Sequence, residues 1–418
     1  MYINSYVLSQ TTYDYQIMFS VKSIYLIVTP FFPSPNSWRG AYVLDQVKAI
    51  QRNSDYEVIV FKPETEDYEI EGIQVYGFKT LQTRSFLFHG IFDSYNANHF
   101  IAKVRDLGIG LNNVKFIHCH TAHFASYGLA LKKYNRNTKV FVQYHDLDPF
   151  TVRNGLLSTN PINSNYRARS AMRLLQKVDL HVCISEPCKD NLLAFPKPRK
   201  EESDKKYLSV LRTLIGLKPI NPKSVFILNN GVDLTVFEPK QSKREDGVFR
   251  IGCIANFVEL KGHMTLLKAF HLLVNNGYKN MRLSLLGTGA TKEKCKEFAK
   301  QTGIFSYIEW PSEVSHECLV DYYNTLDLYA MPSSFEGFGC VYTEAAACGI
   351  PFIGCFNNGA AECIEPEERS KWLIVPGDHM KLGDIIESYY HNRHKQHLCK
   401  HFDINILISD FLKYIHSL

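Results

Sequence analysis

The stretch SSFEGFGCVYTEAAACGIP, residues 333–351, sets Glu336 and Glu344 around a Gly-Phe-Gly turn and follows them with alanines and a Gly-Ile-Pro stop. It comes directly after LDLYAMP, an apolar run that reads as a buried strand. The acids therefore stand at a strand's carboxyl end, where open α/β sheets bind ligands. Gly337 and Gly339 let the backbone approach a ligand and present its N–H groups. A helix beginning by about Val341 offers unpaired N–H groups and the positive end of its dipole to an anion. A carboxylate repels a phosphate but accepts two hydrogen bonds from a vicinal diol. The pattern thus suits a nucleoside diphosphate-sugar, with diphosphate at the helix end and hydroxyls at the acids. Ala345, Ala346, Ala347 and Gly349 let that helix sit close against its sheet.

Working outward, the chain alternates buried runs with amphipathic segments, which implies parallel sheets covered on both faces. SIYLIVTP, YEVIVFK, VKFIHCHT, KVFVQYHD, LHVCIS and SVFILNNG form a first series of strands, and FRIGCIANF, RLSLLG, YIEW, LDLYAMP, PFIGC and KWLIVP a second. In the helix GHMTLLKAFHLLVNN, residues Leu266, Leu267, Phe270, Leu273 and Val274 form one apolar stripe. The polar stretch Pro239–Gly247 separates the two series. The expected class is α/β: an unstructured extension over 1–20, one Rossmann-like domain over 21–240 and a second over 241–418, facing a central cleft. The last helix could return to the first domain.

With 418 residues, 45% of them apolar and 21% charged, the chain can bury large cores and is not a disordered protein. No apolar run approaches the roughly 18 residues a membrane-spanning helix needs, and no secretory signal is expected. Eleven scattered cysteines are odd in number, as free thiols are in a reducing compartment, so a cytoplasmic setting is expected. Residues 1–240 carry 29 basic against 21 acidic side chains, and residues 241–418 carry 18 against 21. The basic half suits an anionic partner, and a membrane surface or phosphate-bearing lipid fits better than nucleic acid, for which no binding motif is present.

The E-x7-E pair inside PSSFEGFGCVYTEAAACGIP closely resembles the signature of GT-B glycosyltransferases of family 4. ILNNGVDLTVFEP, IANFVELKGHMTLLKAF, LSLLGTG, FFPSPNSWRGAYVLDQVKAI and QYHD resemble further motifs of that family, so the likeness runs over most of the chain. The resemblance implies a GT-B fold and a retaining sugar transfer from a UDP- or GDP-sugar donor, with neither a metal nor another cofactor. It also implies a glycan or lipid-linked oligosaccharide acceptor, in capsular, O-antigen or exopolysaccharide synthesis at the inner face of the cytoplasmic membrane. By the same resemblance Glu336 contacts the donor sugar and Glu344 the ribose. Gly337, Phe338 and Gly339 offer backbone groups, and Lys261 neutralises the leaving diphosphate. Gly40 admits the first domain's loop to the phosphates, His145 lies beside the anomeric region, and the loops at Gly287 and Ser312 read the base. One departure stands out. Many relatives have an arginine where this chain has Asn256, and Arg39 or Arg153 is the candidate replacement.

Other readings compete. Paired acids also serve glycoside hydrolysis, but here one acid follows a strand and the other sits inside a helix start beside anion-binding backbone. LLGTGATKEK lacks the third glycine of a dinucleotide fingerprint and reads as a tight strand-to-helix turn. His118 and His120 share a strand face, yet no second ligand pair has metal spacing. The histidine-rich YYHNRHKQHLCKHF reads as a solvated helix. Arg169, Arg173 and Lys177 fall on one helical face, either solvated or docked on an anionic membrane. A sugar-nucleotide epimerase of GT-B fold and a non-catalytic sugar-nucleotide-binding protein remain the functional alternatives.

Overall fold

The computed structural model describes residues 22–35, 37–64, 66–81, 91–145, 148, 152–153, 156–157, 170–194, 220–240, 246–312, 314, 316–356 and 358–418. Two sheets organise them. The first has eight strands in the order Val225–Ile227, Leu180–Cys183, Lys139–Tyr144, Val114–His120, Ile24–Val28, Glu57–Lys62, Ile73–Gly77 and Tyr68–Ile70. Its neighbours pair in parallel, except for the antiparallel edge strand Tyr68–Ile70. That edge hairpin, closed by Glu71 and Gly72 at φ 47° and 77°, adds to the strands suggested by the sequence pattern. The three residues of Tyr68–Ile70 are too few for alternation to show, whereas its partner Ile73–Gly77 does alternate, with Ile73, Val75 and Gly77 buried.

The second sheet has six strands, in the order Ile308–Glu309, Met281–Leu286, Phe249–Ile254, Leu328–Ala330, Phe352–Cys355 and Leu373–Ile374. All its pairs are parallel. Ile24–Val28 and Phe249–Ile254, the first strand of each sheet, lie inside it rather than at an edge. Successive strands are laid down on one side and then on the other. The place where the order reverses opens a crevice at the strands' carboxyl ends. In the second sheet it falls between Phe249–Ile254 and Leu328–Ala330, the strands that lead to Lys261 and Glu336.

The chain's end crosses back. Helix Ile404–His416 starts at Asp403, whose carboxylate accepts from the Asn405 N–H at 2.8 Å, and buries Ile408, Phe411, Leu412 and Ile415. These pack in one core cluster with Val43, Val47 and Ile50 of helix Ala41–Arg52, which belongs to the first sheet's layer. The crossing is pinned where Val232 N–H donates to Phe402 O at 2.7 Å and Ile404 N–H donates to Val232 O at 3.1 Å. Gly231 permits this approach, since a Cβ there would stand 2.6 Å from Ile404 Cα.

Two helical expectations are corrected. Helix His379–Asn392 stops at Arg393, which adopts a left-handed conformation at φ 47°, so the histidine-rich tail does not continue it. His394 instead packs its ring 4.7 Å from Trp372, and His397 bonds Glu368 at 3.0 Å. The basic face of Arg173 and Lys177 is also shorter than expected, because the helix ends at Leu175 and Lys177 lies in the turn after it. Arg169, the side chain of Arg153, the extension over 1–20 and most of the insertion over 199–223 lie outside the described residues.

Candidate active site

Three helices begin at the cleft with a left-handed glycine and no capping side chain: Ala41–Arg52 at Gly40, His263–Asn275 at Gly262 and Cys340–Ala347 at Gly339. A side chain at Gly40 would place its Cβ 2.5 Å from the Phe31 carbonyl carbon, and one at Gly262 would place it 2.1 Å from the Pro332 carbonyl oxygen. Glycine is therefore a steric requirement there, and N–H groups without a capping side chain collect at one place.

Because strands Phe249–Ile254 and Leu328–Ala330 are hydrogen-bonded neighbours, the loops that follow them meet. Ser334 N–H and Ser333 Oγ donate to Leu260 O at 2.8 and 2.9 Å. That junction sets Lys261 Nζ 2.5 Å from Glu336 Oε1, an ion pair whose carboxylate side is 10% exposed. Asn358 fixes the acid's backbone, its side chain accepting from Glu336 N–H at 3.0 Å and donating to Ser333 O at 3.1 Å. The Glu336 amide is thus committed within the protein. Phe338 is buried with its ring 6.3 Å from Phe402, so it can meet a ligand only through its backbone. The first domain reaches the same turn where the buried Ser185 hydroxyl donates to Gly337 O at 2.8 Å.

Glu344 lies one turn into its helix, and the Tyr323 hydroxyl donates to its Oε2 at 2.7 Å. Burial pushes the Glu344 carboxyl up to about 7, with the tyrosine bond working against the rise. Asp45, from the first domain, lines the same inter-domain cavity of about 200 Å³. Burial first, then the Glu344 and Asp233 charges, push its carboxyl up to about 7, and Lys48 opposes them. Both acids titrate near 4 in an unfolded chain, so the folded state favours their protonated forms. Their stabilising share is complete below about pH 4 and is lost as pH rises through about 7. Asp45→Asn is therefore expected to raise the melting temperature of the nucleotide-free protein by a few degrees at pH 8 and to leave it unchanged at pH 4. An equal shift at both pH values would contradict this.

On the first domain's side, strand Lys139–Tyr144 pairs with Val114–His120, which brings His145 beside His120. His145 Nε2 lies 3.0 Å from His120 Nδ1, and the two rings stack with centroids 5.1 Å apart. Burial pushes the His145 imidazolium down to about 3, leaving it neutral at ordinary pH. Phe31 and Tyr42 flank its ring at 5.5 and 5.2 Å, and Arg39 stands 5.6 Å over Phe31. His118 bonds the Tyr25 hydroxyl at 2.8 Å. Among the described residues no group of three His, Cys, Asp or Glu side chains is placed to hold a metal ion.

Asn256 is exposed. Gly287 (φ 142°) comes so close to the end of strand Phe249–Ile254 that a Cβ would stand 2.1 Å from Ala255 O. Its carbonyl, with those of Trp310 and Pro311, accepts from Lys292 Nζ at 2.7, 3.4 and 3.1 Å. Lys292 is therefore committed to bracing that loop, and Ser312 beside it is exposed. The structure brings Gly40, Lys261, Glu336, Gly337, Gly339 and Glu344 to one cleft. The sequence reading missed Asp45, Tyr323, Ser185 and Asn358. Each acts on a partner far away in the chain, so no local spacing marks it.

A model described as "Glycosyl transferases group 1" matches residues 236–405, and "Glycosyltransferase Family 4" matches 40–201. The chain is 30% identical over 153 residues to a D-inositol 3-phosphate glycosyltransferase of Mycolicibacterium smegmatis, covering 35% of each chain. It is 26% identical over 170 residues to the capsular polysaccharide biosynthesis glycosyltransferase CapM of Staphylococcus aureus, covering 38% of this chain and 43% of that one. The matched stretches span less than half of these curated relatives' length. Among solved structures, Anabaena Alr3699/HepE in complex with UDP and glucose superposes with a TM-score of 0.65. The identity is 16%, with 95% of this chain and 100% of that one covered, which speaks to the fold.

Proposed function

The chain belongs to the group 1, family 4 glycosyltransferases of GT-B fold, and we propose that it moves a sugar from a nucleotide-diphosphate-sugar to a glycan or lipid-linked oligosaccharide, with retention of configuration. The observation that carries this is the Lys261–Glu336 pair, held beside the uncapped helix start at Gly339. An ammonium and free N–H groups suit a diphosphate, and the acid beside them suits sugar hydroxyls.

Glu336 holds the donor sugar and Glu344 the ribose. Lys261 and the helix starts at Gly40 and Gly339 take up the charge that grows on the departing phosphate. The neutral His145 contributes hydrogen bonding near the anomeric centre rather than a proton, since burial holds its imidazolium far below neutral pH. Incoming hydroxyl and leaving phosphate share one face of the sugar, so no protein nucleophile is needed. The loops at Gly287 and Ser312 meet the base, and the chain's own cations carry the leaving-group role with no resident metal. The exposed Arg39, near His145 through Phe31, is the candidate for the cation that Asn256 does not supply. The name of CapM and the exposed Arg173 and Lys177 support polysaccharide assembly on an acceptor at an anionic membrane face. Among the described residues no helix is long and apolar enough to cross a membrane.

The test is incubation with UDP-, GDP- and ADP-sugars, with and without a bacterial membrane lipid extract. Sugar should leave the nucleotide only when the extract is present. Conversion without acceptor would make the protein an epimerase, and binding without turnover would make it a non-catalytic sugar-nucleotide-binding protein.

A further inference from the structure

We infer that Asp45 is the first domain's half of a clamp on the donor's ribose, completing from across the cleft the grip that Glu344 begins. The inference rests on the reading of Glu344 as the ribose acid. Asp45 lies in the second turn of helix Ala41–Arg52, just beyond Gly40, and shares one cavity with Glu344, Cys340 and Gly231. Its carboxylate has no hydrogen-bond or ion-pair partner among the described residues, although it is half-buried. Glu344 has Oε2 engaged by Tyr323, while its Oε1 makes no hydrogen bond among the described residues. A cavity of about 200 Å³ would hold several waters at roughly 30 Å³ each, so there is room between the acids for part of a ligand.

Two carboxylates lining one cavity repel each other; burial raises both toward neutrality, and the Glu344 charge adds to the rise at Asp45. The charged and titratable groups around Asp45 are Glu344, Asp233, Lys48 and Glu71, and around Glu344 they are Tyr323, Tyr329, Cys340, Cys348 and Asp45. The only cation in that set, Lys48, is paired with Glu71 on the surface. What the acids lack is hydrogen-bond donors. A vicinal diol supplies two on adjacent carbons, one for each carboxylate, without adding charge. A divalent cation would also reconcile the acids, but among the described residues no third ligand side chain is placed to complete its shell. Because the carboxylates come from different domains, the diol would be gripped from both sides only with the cleft closed, which makes nucleotide binding a condition of closure.

The experiment titrates the full-length protein with UDP and GDP, then compares the tighter one with its 2′,3′-dideoxy analogue, in wild type, Asp45→Ala, Asp45→Asn and Glu344→Ala. The wild type should prefer the ribonucleotide by about tenfold or more. Asp45→Ala should weaken that nucleotide by about tenfold while leaving the dideoxy analogue almost unchanged, so that the preference collapses. Asp45→Asn, which keeps one acceptor oxygen, should fall between. A merely structural role would weaken both nucleotides alike and overturn the inference, as would tighter binding by Asp45→Ala through relief of repulsion. If Glu344→Ala erases the preference and Asp45→Ala does not, Glu344 remains the ribose acid and Asp45 is excluded. If neither variant alters the preference, or neither nucleotide binds, the reading of Glu344 fails as well. Wild-type binding that needs added Mg²⁺, with the need lost in Asp45→Ala, would identify a cation site and overturn the diol assignment.

Discussion

Lys261→Ala is expected to lower the transfer rate by about 100- to 1,000-fold, the range lost when one preorganised group that stabilises developing charge is removed. Glu336 is the side chain that Lys261 Nζ meets in the nucleotide-free protein, so the lysine has a partner before any donor arrives. A donor diphosphate would draw the ammonium from that acid and free Glu336 for the sugar. Removing the lysine also leaves a carboxylate that is 10% exposed without its cation, which should cost about 1–2 kcal/mol of stability. Adding Glu336→Gln to Lys261→Ala should restore most of that stability, read by thermal unfolding, without restoring transfer. Lys261→Arg should retain more activity than Lys261→Ala. Wild-type turnover in Lys261→Ala would remove the lysine from the proposed mechanism.

A second large effect needs no charged or polar group to be touched. Gly262→Ala should reduce transfer about as much as Lys261→Ala and lower stability by about 2–4 kcal/mol. The new Cβ would stand 2.1 Å from the Pro332 carbonyl oxygen, a contact that only backbone movement relieves. The left-handed conformation, φ 72°, adds about 1–2 kcal/mol for any residue with a side chain. Movement there would break the bonds from Ser333 and Ser334 to Leu260 O, at about 1 kcal/mol each, and draw Lys261 away from Glu336. Gly108→Ala is the control, since it shares the left-handed conformation at φ 69° with nothing within 4 Å of the added Cβ. It should cost only the conformational term and leave the turnover of folded protein intact. If both alanines behave alike, close packing of the two loops is not what holds Lys261 in place.

The two substitutions show which parts of the site were legible. Strand and helix periodicity announced two parallel sheets, because a strand buried on both faces is written as a local apolar run. The turn Glu336–Gly339 and the helix after it were equally legible, since a glycine-rich turn between strand and helix is a contiguous instruction. The histidine-rich tail misled. Its spacing suited a helix, but Arg393 turns left-handed and His394 finds Trp372, a contact that local pattern does not record.

By itself, the sequence determined the fold class and named most of the residues that meet at the strand ends, because these follow from patterns a few residues long. Only the tertiary structure decided how those groups are paired. Neighbouring strands put Lys261 against Glu336, paired strands put His120 against His145, and two domains put Asp45 across from Glu344. Such pairings depend on which strands become neighbours and how the domains meet, and the energy that fixes them comes from cores assembled across the whole chain. A carboxylate read along the chain is only an acid. Its partner, its burial and its protonation arise when folding brings distant residues together.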